Sequence, residues 1–243
     1  MMGDFSRRNR ESELMDDCGV DRNTLRTVLE DLDRTNNLLG GNRITLNGVE
    51  RLIQEHNRVS YTILDMGCGN GSMLREIVRL GRRLGVTIEA IGIDLSEKGL
   101  DIAKAASSDF PEIRYLKQDI LALTPDDLKC DILLCTLTMH HFYDENIPVF
   151  LHQFTKLARI GIVINDLQRS PLAYGLFKGF STIFIRTKIA KHDGLISIRS
   201  GFTKAELERF AKDLPLVKHD IQWKWAFRYL WVMRTQELNG IYE

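Results

Sequence analysis

Leu25, Val28, Leu29 and Leu32 recur at three- and four-residue steps, which places them on one helical face. Residues 11–58 read as helical overall, with Gly40 and Gly41 of "LLGGNR" marking a helix end. A second helix is expected over 45–56, with Leu46, Val49, Leu52 and Ile53 on its apolar side. From residue 61 short apolar runs alternate with amphipathic stretches. "YTILDMG", "TIEAIGIDLS", "IRYLKQDI", "CDILLCTLTM" and "RIGIVINDL" read as strands. "GSMLREIVRLGRRLG", "EKGLDIAKAAS" and "NIPVFLHQFTKLA" between them read as helices, the first burying Leu74, Ile77, Val78 and Leu80. Strands apolar on both faces and separated by helices predict a parallel sheet covered on both sides.

The last third breaks this alternation. "PLAYGLFKGFSTIFIRTKIAKHDG" reads as a helical insertion and "TKAELERFAKD" as an amphipathic helix. "LVKHDIQWKWAFRYLWVMRT" gives two strand-like pieces with little between them, an antiparallel hairpin over 216–234 closing the sheet edge. The expected architecture is α/β: a doubly wound, seven-stranded, mostly parallel sheet, with a helical cap over 1–58 and the main domain over 59–243. A helical insertion over about 170–200 precedes the last helix.

Composition narrows the functional classes. The chain has 243 residues, and its 33 basic side chains balance 33 acidic ones, so no global field draws in nucleic acid or an anionic membrane. Cys18, Cys68, Cys130 and Cys135 form no CxxC pair and show no metal-type spacing, which fits reduced thiols in a cytoplasmic protein and predicts no metal site. "MMGDFSRRNRESELMDD" lacks a signal-peptide core, and the most apolar stretch is interrupted by Lys178, Arg186 and Lys188, so no integral membrane association is expected.

The densest chemical signal is "DMGCGNG" at the end of the first strand. Gly67, Gly69 and Gly71 allow a tight turn and close backbone approach to a ligand before a helix N-terminus. The dinucleotide pattern GxGxxG is not met, because Ser72 occupies the third glycine position. Asp65 ahead of the glycines would repel a pyrophosphate and suits a ligand carrying an ammonium group. Asp94 ends the second strand about 25 residues on, where an acid accepts ribose hydroxyls. Asp119 ends the third, where it can accept from an adenine amino group beside the Ile120 backbone.

With these residues in place, the chain resembles the class I S-adenosylmethionine-dependent methyltransferases over about 60–170. In that pattern "LDMGCGNG" is the cofactor loop, Asp94 the ribose acid and Asp119 the adenine contact, while "DILLCTLTMHHF" faces the substrate and the methionine end of the cofactor. The resemblance implies cofactor contacts from Asp65, Gly67, Cys68, Gly69, Gly71, Asp94, Leu95, Asp119, Ile120 and Thr136. Arg43 is expected to reach the methionine carboxylate from the cap. It also implies S-adenosylhomocysteine as product and activity in the class EC 2.1.1.-.

Methyl transfer needs mainly alignment of a nucleophile with the sulfonium carbon, and an oxygen acceptor also needs a base. His140 and His141 follow the fourth strand beside the reactive end, and the sequence does not distinguish them. One could equally cap the next turn or pack on Phe142. Asp166 ends the fifth strand with Asn165, either as turn chemistry or as the group that orients a histidine. The catalytic candidates are therefore His140, His141 and Asp166. The greasy insertion, with Leu172, Tyr174, Leu176, Phe177, Phe180, Ile183 and Phe184, is mostly core by default, yet it falls where such enzymes build a substrate lid. "NDLQRSPLAY" with "DGLISIRSGFTKAEL" is similar to bacterial methyltransferases of quinone and polyketide type, thought to act on small molecules. Arg199 either clamps an acidic group or pairs a nearby acid. The expected activity is O-methylation of a small hydroxylated aromatic, polyketide or quinol-like acceptor in secondary metabolism. C-methylation of a similar ring and a non-catalytic binding module are the alternatives. The partner is a small-molecule acceptor, not nucleic acid, with a homodimer left open.

Overall fold

The computed structural model describes residues 4–123, 128–214 and 217–235. Its chain order is α1 (Arg22–Leu38), α2 (Gly41–His56), β1 (Ser60–Met66), α3 (Ser72–Leu84), β2 (Thr87–Asp94), α4 (Glu97–Ala106), β3 (Ile113–Lys117) and β4 (Cys130–Thr136). Then come α5 (Ile147–Leu157), β5 (Ala158–Leu167), α6 (Pro171–Phe184), α7 (Lys188–Ser200), α8 (Lys204–Lys212), β6 (Lys218–Lys224) and β7 (Arg228–Arg234). The seven strands lie in the order β3-β2-β1-β4-β5-β7-β6. The first five are parallel, and β7 runs antiparallel to both β5 and β6. This is the expected doubly wound sheet with its closing hairpin. Leu216, the expected first residue of the hairpin, lies outside the described residues.

Two buried layers explain why the strands are apolar on both faces. One side packs Leu64, Ile91, Leu133, Ile162 and Trp231 against α5 and α8. The other packs Ile63, Ala90, Ile132, Val163 and Leu230 against α2 and α3. Period-two alternation sends neighbouring residues of one strand into opposite layers. The face read from α3 holds: Leu74, Ile77, Val78 and Leu80 are all buried. Gly85 ends that helix in the left-handed conformation, φ +72°.

The N-terminal region departs from the expected continuous helix. Residues 5–13 form no regular structure, and the first α-helix starts at Arg22 after its cap Asp21, whose side chain accepts from Asn23 N and Thr24 N. This extended segment straps the molecule by polar contacts. Arg8 donates to the carbonyls of Ser200 and His140 (both 2.8 Å) and to Asp144, with its guanidinium over the Phe202 ring. Asp193, fully buried in α7, accepts from the Leu14 and Met15 amides, both at 2.9 Å. Arg199 pairs with Glu11 in the same strap. Gly40 and Gly41 do not leave a gap before the second helix, which begins at Gly41 directly after Gly40 turns left-handed at φ +72°.

The insertion after β5 is two helices, α6 and α7. Leu172, Leu176, Ile183 and Phe184 are exposed, so α6 is not core. Its Phe177 and Phe180 instead turn inward beside Val28 of α1 and Ile185.

Candidate functional site

At the carboxyl ends of the central strands, under α1, α6 and α7, lies a cavity of about 1290 Å³. The sheet order reverses between β1 and β4 here, the place where open α/β sheets take ligands.

One half is built by the glycine loop. Gly67, Gly69 and Gly71 all have positive φ (+74°, +52° and +72°). A Cβ on Gly67 would stand 2.4 Å from Thr138 Cγ2, and one on Gly71 would stand 2.0 Å from the Tyr115 hydroxyl. Both turns therefore exclude a side chain for reasons of space as well as conformation. Asp94 accepts from Gly69 N with one oxygen and Ser96 N with the other, both 2.8 Å, tying the ends of β1 and β2 together. From above, Asp33 of α1 accepts from Asn70 Nδ2 (2.7 Å) and Ser72 Oγ (2.5 Å), clamping the helical cap to the loop.

Asp65, the next-to-last residue of β1, is 2% exposed, and its Oδ1 has no hydrogen-bond partner among the described residues. Burial, with Asp94 adding repulsion, pushes its pKa up to about 7. A buried carboxylate of this kind calls for a cationic ligand.

The other half carries the histidines. Leu137, in the left-handed region at φ +53°, turns the chain sharply after β4 and donates to Asn165 O at 2.8 Å. The following turn brings His140 against Asp166: Nδ1 lies 2.7 Å from Oδ1, and the His140 amide donates to Oδ2 at 3.1 Å. His140 Nε2 faces Glu13 Oε1 at 3.5 Å. His141 stacks at 4.4 Å between ring centroids, with Nε2 at 3.9 Å from Glu13 and Nδ1 at 3.5 Å from Asp16. Burial pulls the His140 pKa down, but the charges and hydrogen bonds of Asp166 and Glu13 outweigh it and hold the pKa at about 10. Both carboxyls end below their ordinary range, because the histidines outweigh the burial that opposes them. In this arrangement His140 is an imidazolium between two carboxylates. Glu13, His140 and His141 also offer ligand atoms within 4.8 Å of one another, a spacing that a metal ion could occupy.

The structure brings Asp65, Gly67, Cys68, Gly69, Asp94, Leu95, Ile120, Thr136, His140 and His141 to the cavity wall. Asp166 stands behind His140, and Gly71 caps α3 just outside the lining. Arg43 and Asp119 are exposed and lie outside the lining, Asp119 accepting from Leu121 N at 2.9 Å. Glu13, Asp33 and Arg228 escaped the sequence reading. Glu13 and Asp33 lie among other acids and leave no periodic signal. Arg228 did leave one: a lone cation inside the aromatic, strand-like run "WAFRYLW".

A mostly parallel sheet of this order, with an acid–glycine loop after β1 and an acid ending β2, is the architecture of the class I methyltransferases. Residues 63–161 match the family described as a methyltransferase domain. The YqeM protein of Bacillus subtilis (strain 168) is 31% identical over 111 residues, 44% of this chain and 42% of that protein. A ubiquinone biosynthesis O-methyltransferase of Coxiella burnetii (strain RSA 493 / Nine Mile phase I) is 34% identical over 83 residues, 34% of this chain and 33% of that protein. The chain thus spans well under half the length of these curated relatives. Among solved structures, the plantazolicin methyltransferase BpumL in complex with SAH gives a TM-score of 0.66 at 16% identity, over 88% of this chain and 91% of that one. Magnesium protoporphyrin IX methyltransferase (ChlM) from Synechocystis PCC 6803 gives 0.55 at 14% identity, over 90% of each chain. At such identities the likeness is one of fold.

The residues present fit the family's cofactor. The unpartnered Asp65 oxygen suits an ammonium, the bare backbone at Gly67 and Gly69 gives a nucleoside room to approach, and Asp94 stands at the end of β2 for a ribose. Among the described residues no helix is long and apolar enough to cross a membrane.

Proposed function

We propose that the protein binds S-adenosylmethionine along the glycine loop and transfers its methyl group to an oxygen of a small hydroxylated aromatic, quinol-like or polyketide-like acceptor. The observation carrying this reading is that one cavity is lined by the glycine loop, by His140 held between Asp166 and Glu13, and by the apolar Ala173, Leu176, Phe177 and Phe180. The cofactor supplies an activated methyl group when bound. Asp65 takes its ammonium, Asp94 its ribose hydroxyls, and the loop amides fix its pose. The aromatic side chains of α6 exclude water and hold the acceptor ring.

His140 presents Nε2 to the acceptor because Asp166 occupies Nδ1 and fixes the ring. An acceptor hydroxyl that displaces Glu13 from Nε2 removes two of the influences that keep the ring charged. His140 then moves toward the range in which Nε2 takes the hydroxyl proton as the oxygen attacks. Oxygen rather than carbon as the acceptor atom is favoured by a ring nitrogen placed to take a hydroxyl proton. The O-methyltransferase among the curated relatives supports the same choice.

The test has two stages. Calorimetry with the purified chain is expected to show S-adenosylhomocysteine binding, and no binding sinks the proposal. Mass spectrometry of phenols, quinols and polyketides incubated with S-adenosylmethionine is then expected to show a methyl ether. Methylation on carbon alone would overturn the oxygen assignment.

A further inference from the structure

Arg228, the first residue of β7, is 3% exposed and lines the same cavity. Its Nη2 donates to Asn36 Oδ1 at 2.6 Å, while Nε and Nη1, both buried, have no partner among the described residues. The guanidinium lies against the start of α2: a Cβ on Gly41 would stand 2.9 Å from its Cζ. That helix of 16 residues begins at Gly41 after Gly40, which offers no side-chain cap, so its first amides add positive potential at the same spot. Burial lowers the guanidinium's pKa to about 10, and only the Asp166 charge opposes this. Asp166 is itself engaged by His140. A buried fork with two idle donors beside an uncapped helix start lacks an anion.

We infer that Arg228 and the N-terminus of α2 form a carboxylate-binding site that selects acceptors bearing an acid group on the ring; the inference rests on the methyltransferase reading above. Position assigns the site to the acceptor and not to the donor's own carboxylate. Asp65, the group suited to the donor's ammonium, is on β1, and Arg228 is on β7, three strands away, about 14 Å at the usual strand spacing. Asn165 Nδ2 holds the Gly41 carbonyl over β5 at 2.9 Å, which keeps the guanidinium on the far side of β4. Trp225 and Phe227 border Arg228 in the lining and give an aromatic acid a surface to stack on.

Calorimetry on the full chain, with and without S-adenosylhomocysteine, compares 4-hydroxybenzoate with 4-hydroxybenzamide and 6-hydroxy-2-naphthoate with its carboxamide. In at least one pair the acid is expected to bind about tenfold more tightly than the amide. Arg228→Met is expected to abolish that preference and leave S-adenosylhomocysteine affinity within about twofold. Arg228→Lys, which keeps the charge without the fork, is expected to retain part of it and serves if the methionine variant does not fold. Equal affinities in every wild-type pair, or a preference that survives both substitutions, overturns the inference. A large loss of S-adenosylhomocysteine affinity with unchanged 5′-methylthioadenosine binding would give the guanidinium to the donor's carboxylate, and overturns it too. If the wild type binds no S-adenosylhomocysteine, the methyltransferase reading falls. The acid–amide comparison without that ligand still decides on the anion site.

Discussion

His140 carries the sharpest tension between position and chemistry. A base must be free to take a proton, yet Asp166 and Glu13 hold this ring as a cation up to about pH 10. Glu13 is the removable half of that hold, since Asp166 also fixes the ring through the His140 amide. Glu13→Gln is therefore expected to lower the His140 pKa and move the acid limb of kcat/KM about one unit to lower pH. An unmoved limb removes His140 as the base. Gly67 offers a second residue-scale test. Gly67→Ala forces a Cβ to 2.4 Å from Thr138 in a backbone with φ +74°, so S-adenosylhomocysteine affinity should fall more than about tenfold. Retention of wild-type affinity would show that the turn relaxes freely. At this scale the sequence was legible where spacing carries meaning, as in Asp65 with its glycines. It was mute at Glu13, whose role comes from a segment crossing to touch a turn more than 120 residues away.

Among the elements, the N-terminal strap does most to complete the site. It has little apolar burial of its own: Arg8, Glu11, Glu13 and the Leu14 and Met15 amides tie it to α7 and to the turn after β4. Glu13 reaches the histidines because Asp193 fixes the next two residues and Ser197 donates to the Glu13 carboxylate. Asp193→Ala removes two amide acceptors at a buried position, so the strap should detach locally while the sheet remains folded. Faster tryptic cleavage at Arg7, Arg8 and Arg10, with a lower kcat and intact S-adenosylhomocysteine binding, is the expected outcome. Unchanged proteolysis would show that the other contacts suffice. No hydrophobic period announces such a strap, which is why residues 11–21 read as helix in the sequence and are not α-helical in the structure. α6 went astray for the opposite reason: its apolar residues suggested core, but several line a cavity or face solvent, and periodicity cannot tell these from burial.

For the whole molecule, the mostly parallel, doubly wound sheet followed from the alternation of strands and helices, because strands apolar on both faces and joined by helices must be covered on both sides. What that pattern cannot encode is the charge enclosed when the cap, the sheet and the insertion meet. The described residues bury Asp65, Asp166, Glu13, His140 and Arg228 around one cavity, and their ionisation couples folding to pH. His140 is raised from an unfolded value near 6.5 to about 10, so its contribution is full below about pH 6.5 and is lost as pH rises toward 10. Asp65 is an acid whose folded pKa is raised, to about 7, so it too destabilises the fold as pH climbs from about 4 to 7. Glu13 and Asp166 are depressed, and their contribution is lost only as pH falls below the usual carboxylate range. The signs combine to place maximal stability of the ligand-free protein on the mildly acidic side of neutrality. Its melting temperature should therefore fall by several degrees between about pH 6 and about pH 9.5. Saturating S-adenosylhomocysteine should flatten the lower part of that slope, because an ammonium beside Asp65 stabilises the carboxylate it now lacks a partner for. Asp65→Asn should flatten the same part without ligand, and His140→Gln the part above about pH 7. Thermal melts of the four samples across that range check this assignment. A His140→Gln profile parallel to the wild type would show that the imidazolium does not set the alkaline loss.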